Sequence, residues 1–269
     1  MTHARCPRLS RVMLFLAATV AGLVISPPAG AQQPAQGQPP QPRQHPLVPC
    51  IEWANSGLEK MEQYQDYECT LVKRERIGEK LGESVYIYTR IRQKPFSVYM
   101  YFLTPKKDKG QQVVYIEGQN DGNLLAKPVG LVKGKLGPFS LDPKGNLAMN
   151  GQRYPITEVG IKNLTVRLLE VAENDKHFGE CSVNFFRNTK INDRPTTCIE
   201  VTHPVPRRNF RFHVARVFVD DQWNIPTRYE AYLWPEKPGD KPVLVEEYTY
   251  LNLKFNNGFT DDDFVIRRK

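Results

Sequence analysis

Histidines His45, His177, His203 and His213 and cysteines Cys50, Cys69, Cys181 and Cys198 are the side chains beyond residue 31 best suited to proton transfer, nucleophilic attack or soft-metal binding. Their spacing assigns none of that chemistry. His45 lies in a Gln/Pro-rich stretch, His177 at the end of a helical pattern, His203 before Pro204 at a turn, and His213 within a strand pattern. No two form a metal pair at helical spacing, Ser97 and Ser182 lack the flanking glycines of a nucleophile elbow, and no glycine-rich phosphate loop occurs. Asp261, Asp262 and Asp263 lack the distal Glu of a calcium loop and suit a capped turn instead. The reading is of a non-enzymatic chain with no cofactor, no metal site and no catalytic residue.

An even set of four cysteines in an exported chain favours disulfides, and the preferred pairing is Cys181 with Cys198 across a hairpin and Cys50 with Cys69 from first helix to first strand. Four free thiols are the alternative. Export is read from Arg5, Arg8 and Arg11, the apolar run Val12 to Ile25, and Ala29-Gly30-Ala31, which together form a cleavable leader over residues 1–31. Leu47-Val48-Pro49-Cys50 is too far from that run to be a lipid-attachment box. The formal net charge of the whole chain is +8. The leader takes three arginines and no acids with it, so the remainder is mildly basic, which suits an anionic membrane surface. Arg207-Arg208-Asn209-Phe210-Arg211-Phe212-His213 interleaves basic and aromatic residues, but export removes nucleic acid as a partner.

Residues 32–49 are rich in Gln and Pro and cannot bury enough apolar surface to offset their ordering entropy, so they read as a disordered tether. One domain is expected over 50–269. It begins with a helix whose buried face is Ile51, Ala54, Leu58 and Met61. A hairpin follows, Tyr67 to Ile77 and Glu83 to Arg92, with Tyr86 and Tyr88 opposite Val85, Ile87 and Ile91. Next comes Ser97 to Leu103, apolar or aromatic at nearly every position, so both faces of that strand are covered. A central core strand and the wall of a greasy cavity satisfy this equally.

After strands at Gln111 to Glu117 and Asn123 to Ala126, residues 127–153 form the longest irregular segment. Pro155 is expected to open a second helix with a buried stripe of Ile161, Leu164, Leu168 and Val171. Five strands follow. The last, Val243 to Phe255, alternates so that Val243, Val245, Leu251, Leu253 and Phe255 share a core face, and Asn257-Gly258 then turns Phe259 and Phe264 back onto the sheet. The fold class is α+β: a strongly curved antiparallel sheet, an incomplete β-barrel, with helices packed on its concave side.

Four segments in this order resemble the LolA/LolB-like lipoprotein-carrier superfamily: Lys94-Pro95 leading into Val98 to Phe102, Val113 to Gly118, Asn224 to Tyr232, and the closing Asn257-Gly258 to Phe264. More closely, the folded part resembles an exported bacterial family known only as a domain of unknown function. Ser97-Val98 stands where the true carriers place an Arg. The resemblance implies an exported protein of the periplasm or cell envelope. Its half-barrel would bind a hydrophobic or lipid-like ligand, a lipid or the acyl chain of an acylated protein. The expected lining is Val98, Met100 and Phe102 on one face and Tyr99 and Tyr101 on the other, with Tyr86, Tyr88 and Trp234 at a rim. The alternative is a protein-interaction or envelope-sensor domain with the same half-barrel and an ordinary core.

Overall fold

The computed structural model describes residues 44–130 and 137–267; the leader expected over 1–31, and the tether as far as residue 43, lie outside them. The chain runs α1 (Val48–Met61), β1 (Asp66–Ile77), β2 (Lys80–Leu81), β3 (Val85–Arg92), β4 (Ser97–Phe102), β5 (Gln112–Ile116), β6 (Leu124–Lys127), β7 (Phe139–Leu141) and α2 (Asn146–Met149). It continues with α3 (Ile161–Asp175), β8 (Ser182–Ile191), β9 (Arg194–Thr202), β10 (Val214–Asp220), β11 (Pro226–Leu233) and β12 (Val243–Phe255).

The strands form one sheet in the order β7-β6-β5-β4-β3-β1-β12-β11-β10-β9-β8, with β2 paired to β1 beside the path. Every pairing is antiparallel. Two meanders are therefore zipped together by the first and last long strands, and α3 makes the connection between them. The sheet is an open, curved, incomplete barrel with the helices on its concave side. That side holds two apolar clusters. One gathers Met61, Ile161, Leu71, Ile87, Ile91, Val98, Met100 and Phe102. The other gathers Ile199, Phe212, Val217, Tyr229, Ala231 and Val245 beneath Cys50, Trp53, Leu164 and Leu168.

The opposite face of β4 and β5 is covered by the C-terminal segment. Phe264 packs there with Tyr99, Val114 and Ile116, and Phe259 meets Phe264 edge-on at 6.0 Å. The turn that carries them is a single 3-10 turn, Asp261–Asp263, closed by a capping box between Thr260 and Asp263.

Three expectations are corrected by the backbone. Helix α1 starts at Val48, inside the stretch read as tether, because Leu47 is buried and Pro49 fits the first turn, where no amide donor is needed. Pro155 opens only the short turn Ile156–Glu158, and α3 begins afresh at Ile161. Gly160 separates them with φ +117°, and a Cβ there would stand 3.0 Å from Tyr67 Oη and 3.2 Å from Ile91 Cδ1. Only glycine lets the chain pass that close, and Tyr67 Oη accepts the Ile161 N–H at 2.9 Å. In β12 the core face is Tyr248 and Tyr250 followed by Leu253 and Phe255, with Val245 facing inward nearer its start. Asn252 at φ +56° and register shifts against β1 and β11 insert extra residues, and each extra residue swaps the two faces.

Neither expected disulfide forms: Cys50, Cys69, Cys181 and Cys198 are free thiols. Cys198 sits opposite Phe186 in the β8–β9 ladder, five residues beyond Cys181, or about 16 Å along an extended strand. A disulfide needs Cα atoms within about 7 Å. Cys69 lies in the Met61 cluster and Cys50 packs against the Ile199 cluster, so the second pair is divided between two cores.

Candidate functional site: an apolar cavity with a polar end

Helix α1 approaches the sheet closely because Gly57 has no side chain; a Cβ there would lie 3.1 Å from the Asn224 carbonyl oxygen. Its Trp53 donates from Nε1 to Asn224 Oδ1 at 2.6 Å, which fixes the indole against the β10–β11 turn. Helix α3 is held at its start by Tyr67 and lies beside α1. Where the two helices meet β9 and β10, small side chains leave a cavity of about 80 Å³. Leu47, Cys50, Trp53 and Ala54 close it from α1 and its approach, and Leu168, Val171 and Ala172 from α3. Ile199, Val201, Phe212, Ala215 and Val217 form the floor. Alanines stand on all three walls.

One end of this cavity is polar. His203, 5% exposed, and Asp175 both line it, with His203 Nε2 3.4 Å from Asp175 Oδ2 and in no hydrogen bond. His203 Nδ1 donates to the Phe212 carbonyl at 3.1 Å, and the imidazole stacks on Phe210 at 4.1 Å. The main-chain oxygen of His203 accepts from Trp234 Nε1 at 3.0 Å and from His213 Nδ1 at 2.8 Å. Burial lowers the His203 pKa from 6.5, although Asp175 opposes this, so the ring is neutral at pH 7. Burial also raises the Asp175 carboxyl, against a hydrogen bond from Asn174 to its Oδ1 at 3.0 Å.

A groove of about 220 Å³ adjoins this end and shares Val171 and Asp175 with the cavity. Glu170, Asn174, Asn209 and Arg211 complete its lining. Asn209 Nδ2 is buried without a partner. The two spaces form an apolar chamber with a polar vestibule, an arrangement suited to holding an amphiphile.

Of the residues expected from sequence to line a site, Val98, Met100 and Phe102 come together beneath the helices in the Met61 cluster. They do not border the cavity, but Leu164 and Tyr248 pack against both clusters, so the apolar concave surface is continuous. Tyr99 points the other way, onto Phe264, and its Oη donates to Gln112 Oε1 at 3.1 Å. Tyr101 packs against that same C-terminal cluster. Tyr88 donates to Glu68 at 2.5 Å, and Tyr86 is 41% exposed. Trp234 alone of the expected rim touches the polar end, through His203.

In the sequence His203 reads only as a turn residue before Pro204, and neither Asp175 nor the alanine-lined gap leaves a local signal. Nor does local pattern mark two buried carboxylates, Glu75 and Glu246, which stand directly opposite each other in the β1–β12 ladder. Glu246 accepts from Arg153 Nε at 2.7 Å and from Tyr154 Oη at 2.9 Å, while Glu75 accepts from Lys73 Nζ at 3.1 Å and from Tyr248 Oη at 2.6 Å. This network fastens residues 152–154 to the sheet, and Lys73 also bonds Gln152. Among the described residues no group of His, Cys, Asp and Glu is placed to hold a metal, and no helix is long and apolar enough to cross a membrane.

The family described as "Protein of unknown function (DUF1571)" matches residues 64–268. No curated protein matches the sequence. Among solved structures the chain is similar to the Mycobacterium tuberculosis lipoprotein LppX, with 13% identity, TM-score 0.45, and coverage of 79% of this chain and 98% of that one. It is similar to the Pseudomonas aeruginosa MucA/MucB complex structure, with 15% identity, TM-score 0.45, and coverage of 82% and 62%. It is also similar to a LolA superfamily protein from Nitrosomonas europaea, with 14% identity, TM-score 0.31, and coverage of 79% and 97%.

Proposed function

The chain belongs to the DUF1571 family, and we propose that it is an exported, non-enzymatic protein that holds a lipid-like amphiphile at the cell envelope, by its acyl chain. The observation that carries this reading is the apolar cavity between α1, α3 and the β9–β10 floor, with its polar vestibule. The leader expected over residues 1–31 would deliver it, and the basic balance of the chain suits an anionic membrane surface.

Size decides how the chain is held. A cavity of 150 Å³ lined by apolar side chains holds a benzene ring, so about 80 Å³ takes roughly three methylenes. At about 0.8 kcal/mol each, these supply only about 2–3 kcal/mol. Retention of a longer chain therefore draws on the adjoining Val98, Met100 and Phe102 surface, reached as the helices part from the sheet. Release is the reverse motion.

Native mass spectrometry of the mature protein taken gently from its own envelope, with solvent extraction, tests this. A discrete adduct that extracts as lipid is expected, and Ala172→Leu or Ala215→Leu, which fill the cavity, should lose it. Met100→Asp with Phe102→Asp should also abolish uptake. Adducts that persist in folded variants of both kinds would overturn the site.

A second reading rests on β8, the edge strand of the sheet, where Phe185 and Phe186 are 49% and 48% exposed. An unpaired edge with exposed aromatics suits an extended segment of another envelope protein. A bare mass with no recoverable lipid, together with amide-exchange protection of β8 when envelope proteins are added, would favour it.

A further inference from the structure

We infer that the polar end of the cavity selects an uncharged amphiphile carrying a hydroxyl beside an acyl carbonyl, of the monoacylglycerol class, over a fatty-acid anion or a donor-less ester of the same chain length. This rests on the lipid-binding reading above and specifies its ligand.

Two buried groups without a partner, His203 Nε2 and Asn209 Nδ2, define the headgroup. His203 Nδ1 must carry the proton, because its partner is the Phe212 carbonyl oxygen at 3.1 Å. The neutral ring then presents a lone pair at Nε2 that is in no hydrogen bond, and Asp175 Oδ2 stands 3.4 Å from it. Asp175 Oδ1 already takes the Asn174 amide. At 3.4 Å the two are too far apart for a good direct hydrogen bond, and a ligand hydroxyl donating to Nε2 supplies the missing partner. On the groove side Asn209 Nδ2 is a buried donor with no acceptor, which calls for a carbonyl oxygen. Shared Val171 and Asp175 place both polar positions beside the mouth of the apolar chamber.

Charge argues for a neutral headgroup. Glu170 and Asp175 flank the vestibule, and its cation, Arg211, donates to Tyr154 Oη at 3.2 Å. A carboxylate entering here meets two acids, Glu170 and Asp175, against the single cation Arg211. An ammonium group would lose its water beside a 95% buried imidazole.

The test uses the mature full chain and three twelve-carbon probes at pH 7: monolauroylglycerol, methyl laurate and laurate. Binding is read from the emission of Trp53, which lines the chamber, and from native mass. Monolauroylglycerol should bind about tenfold tighter than either of the others, the worth of one to two buried hydrogen bonds. His203→Phe and Asn209→Leu should each retain methyl laurate and erase much of the difference; Asn209 lies on a connection, so its variant keeps the test usable if His203→Phe fails to fold. Equal affinities, tighter laurate binding, or a preference that survives both substitutions would overturn the assignment. Failure of all three probes to bind would instead overturn the lipid-binding reading and this inference with it.

Discussion

Asp66 Oδ1 accepts both the backbone N–H of Asn257, at 2.6 Å, and its side-chain amide, at 3.1 Å. Its other oxygen takes the N–H groups of Gly258 and Phe259 at 2.9 and 3.0 Å. One buried carboxylate at the start of β1 thus organises the turn that follows β12 and directs Phe259 and Phe264 onto the outer face of β4. Asp66→Ala strands three backbone donors and should cost about 1–3 kcal/mol for each that stays buried. A lowered urea midpoint with fast amide exchange at Gly258 and Phe259 is the expected result; unchanged exchange there would show that the turn holds without it.

Arg153 and Glu246 set a second prediction. Glu246 is 1% exposed, and Arg153 supplies its only cationic partner among the described residues. Removing the cation from a buried carboxylate leaves an uncompensated charge, which costs about 3–5 kcal/mol in a fully buried pair and less here, where Arg153 is partly exposed. Arg153→Met should therefore destabilise, and adding Glu246→Gln should recover part of the loss. A double-mutant cycle measured by urea unfolding checks this, and additive losses would count against a coupled pair.

Asp220 predicts the acid side of the stability curve. Burial raises its pKa, but Arg194, at 2.5 and 3.0 Å, and the N–H groups of Trp223 and Gln222 outweigh burial, leaving it below its ordinary 3.8. A carboxyl depressed on folding stabilises above its unfolded pKa, and the contribution is lost as pH falls through the folded value. The advantage of the wild type over Asp220→Asn should be full at pH 5 to 7 and shrink below pH 3.8. Unfolding free energies measured from pH 7 to 2.5 decide it; a gap that stays constant down to the lowest pH would exclude this linkage.

The thiols give a fourth. Burial pushes Cys50 up to about 11, with the nearby Cys181 adding to it, and pushes Cys198 up to about 11; Cys69 is raised further by burial. None is an activated thiolate at pH 8. Iodoacetamide on the unreduced, denatured mature protein should add four groups. On the native protein Cys181 should react ahead of the buried Cys69 and Cys198. Two or no additions under denaturing conditions would mean that bridges form after all.

Much of this architecture is legible from local pattern. The strand Ser97 to Phe102 declares two covered faces because nearly all its side chains are apolar, and it has the helices on one side and the C-terminal segment on the other. Asn257-Gly258 and Phe264 declare a closing plug because turn chemistry and an aromatic anchor are short-range signals. The faces of β12 are not legible, since a bulge at Asn252 swaps them without disturbing the composition. The disulfide expectation fails for a related reason: cysteine number is read from sequence, but pairing depends on a ladder register that only the assembled sheet sets.

By itself, then, the order of residues determined an α+β half-barrel, its strands, its terminal plug and the scarcity of catalytic motifs, because alternation, helical spacing and turn residues act within a few positions. The tertiary structure decided where the sheet is hollow. Ala54, Ala172 and Ala215 are far apart in the chain, and small side chains leave a cavity only where three packed elements converge on them. His203 and Asp175 become a polar end for the same reason, since 28 positions of sequence separate two side chains that the fold brings to 3.4 Å.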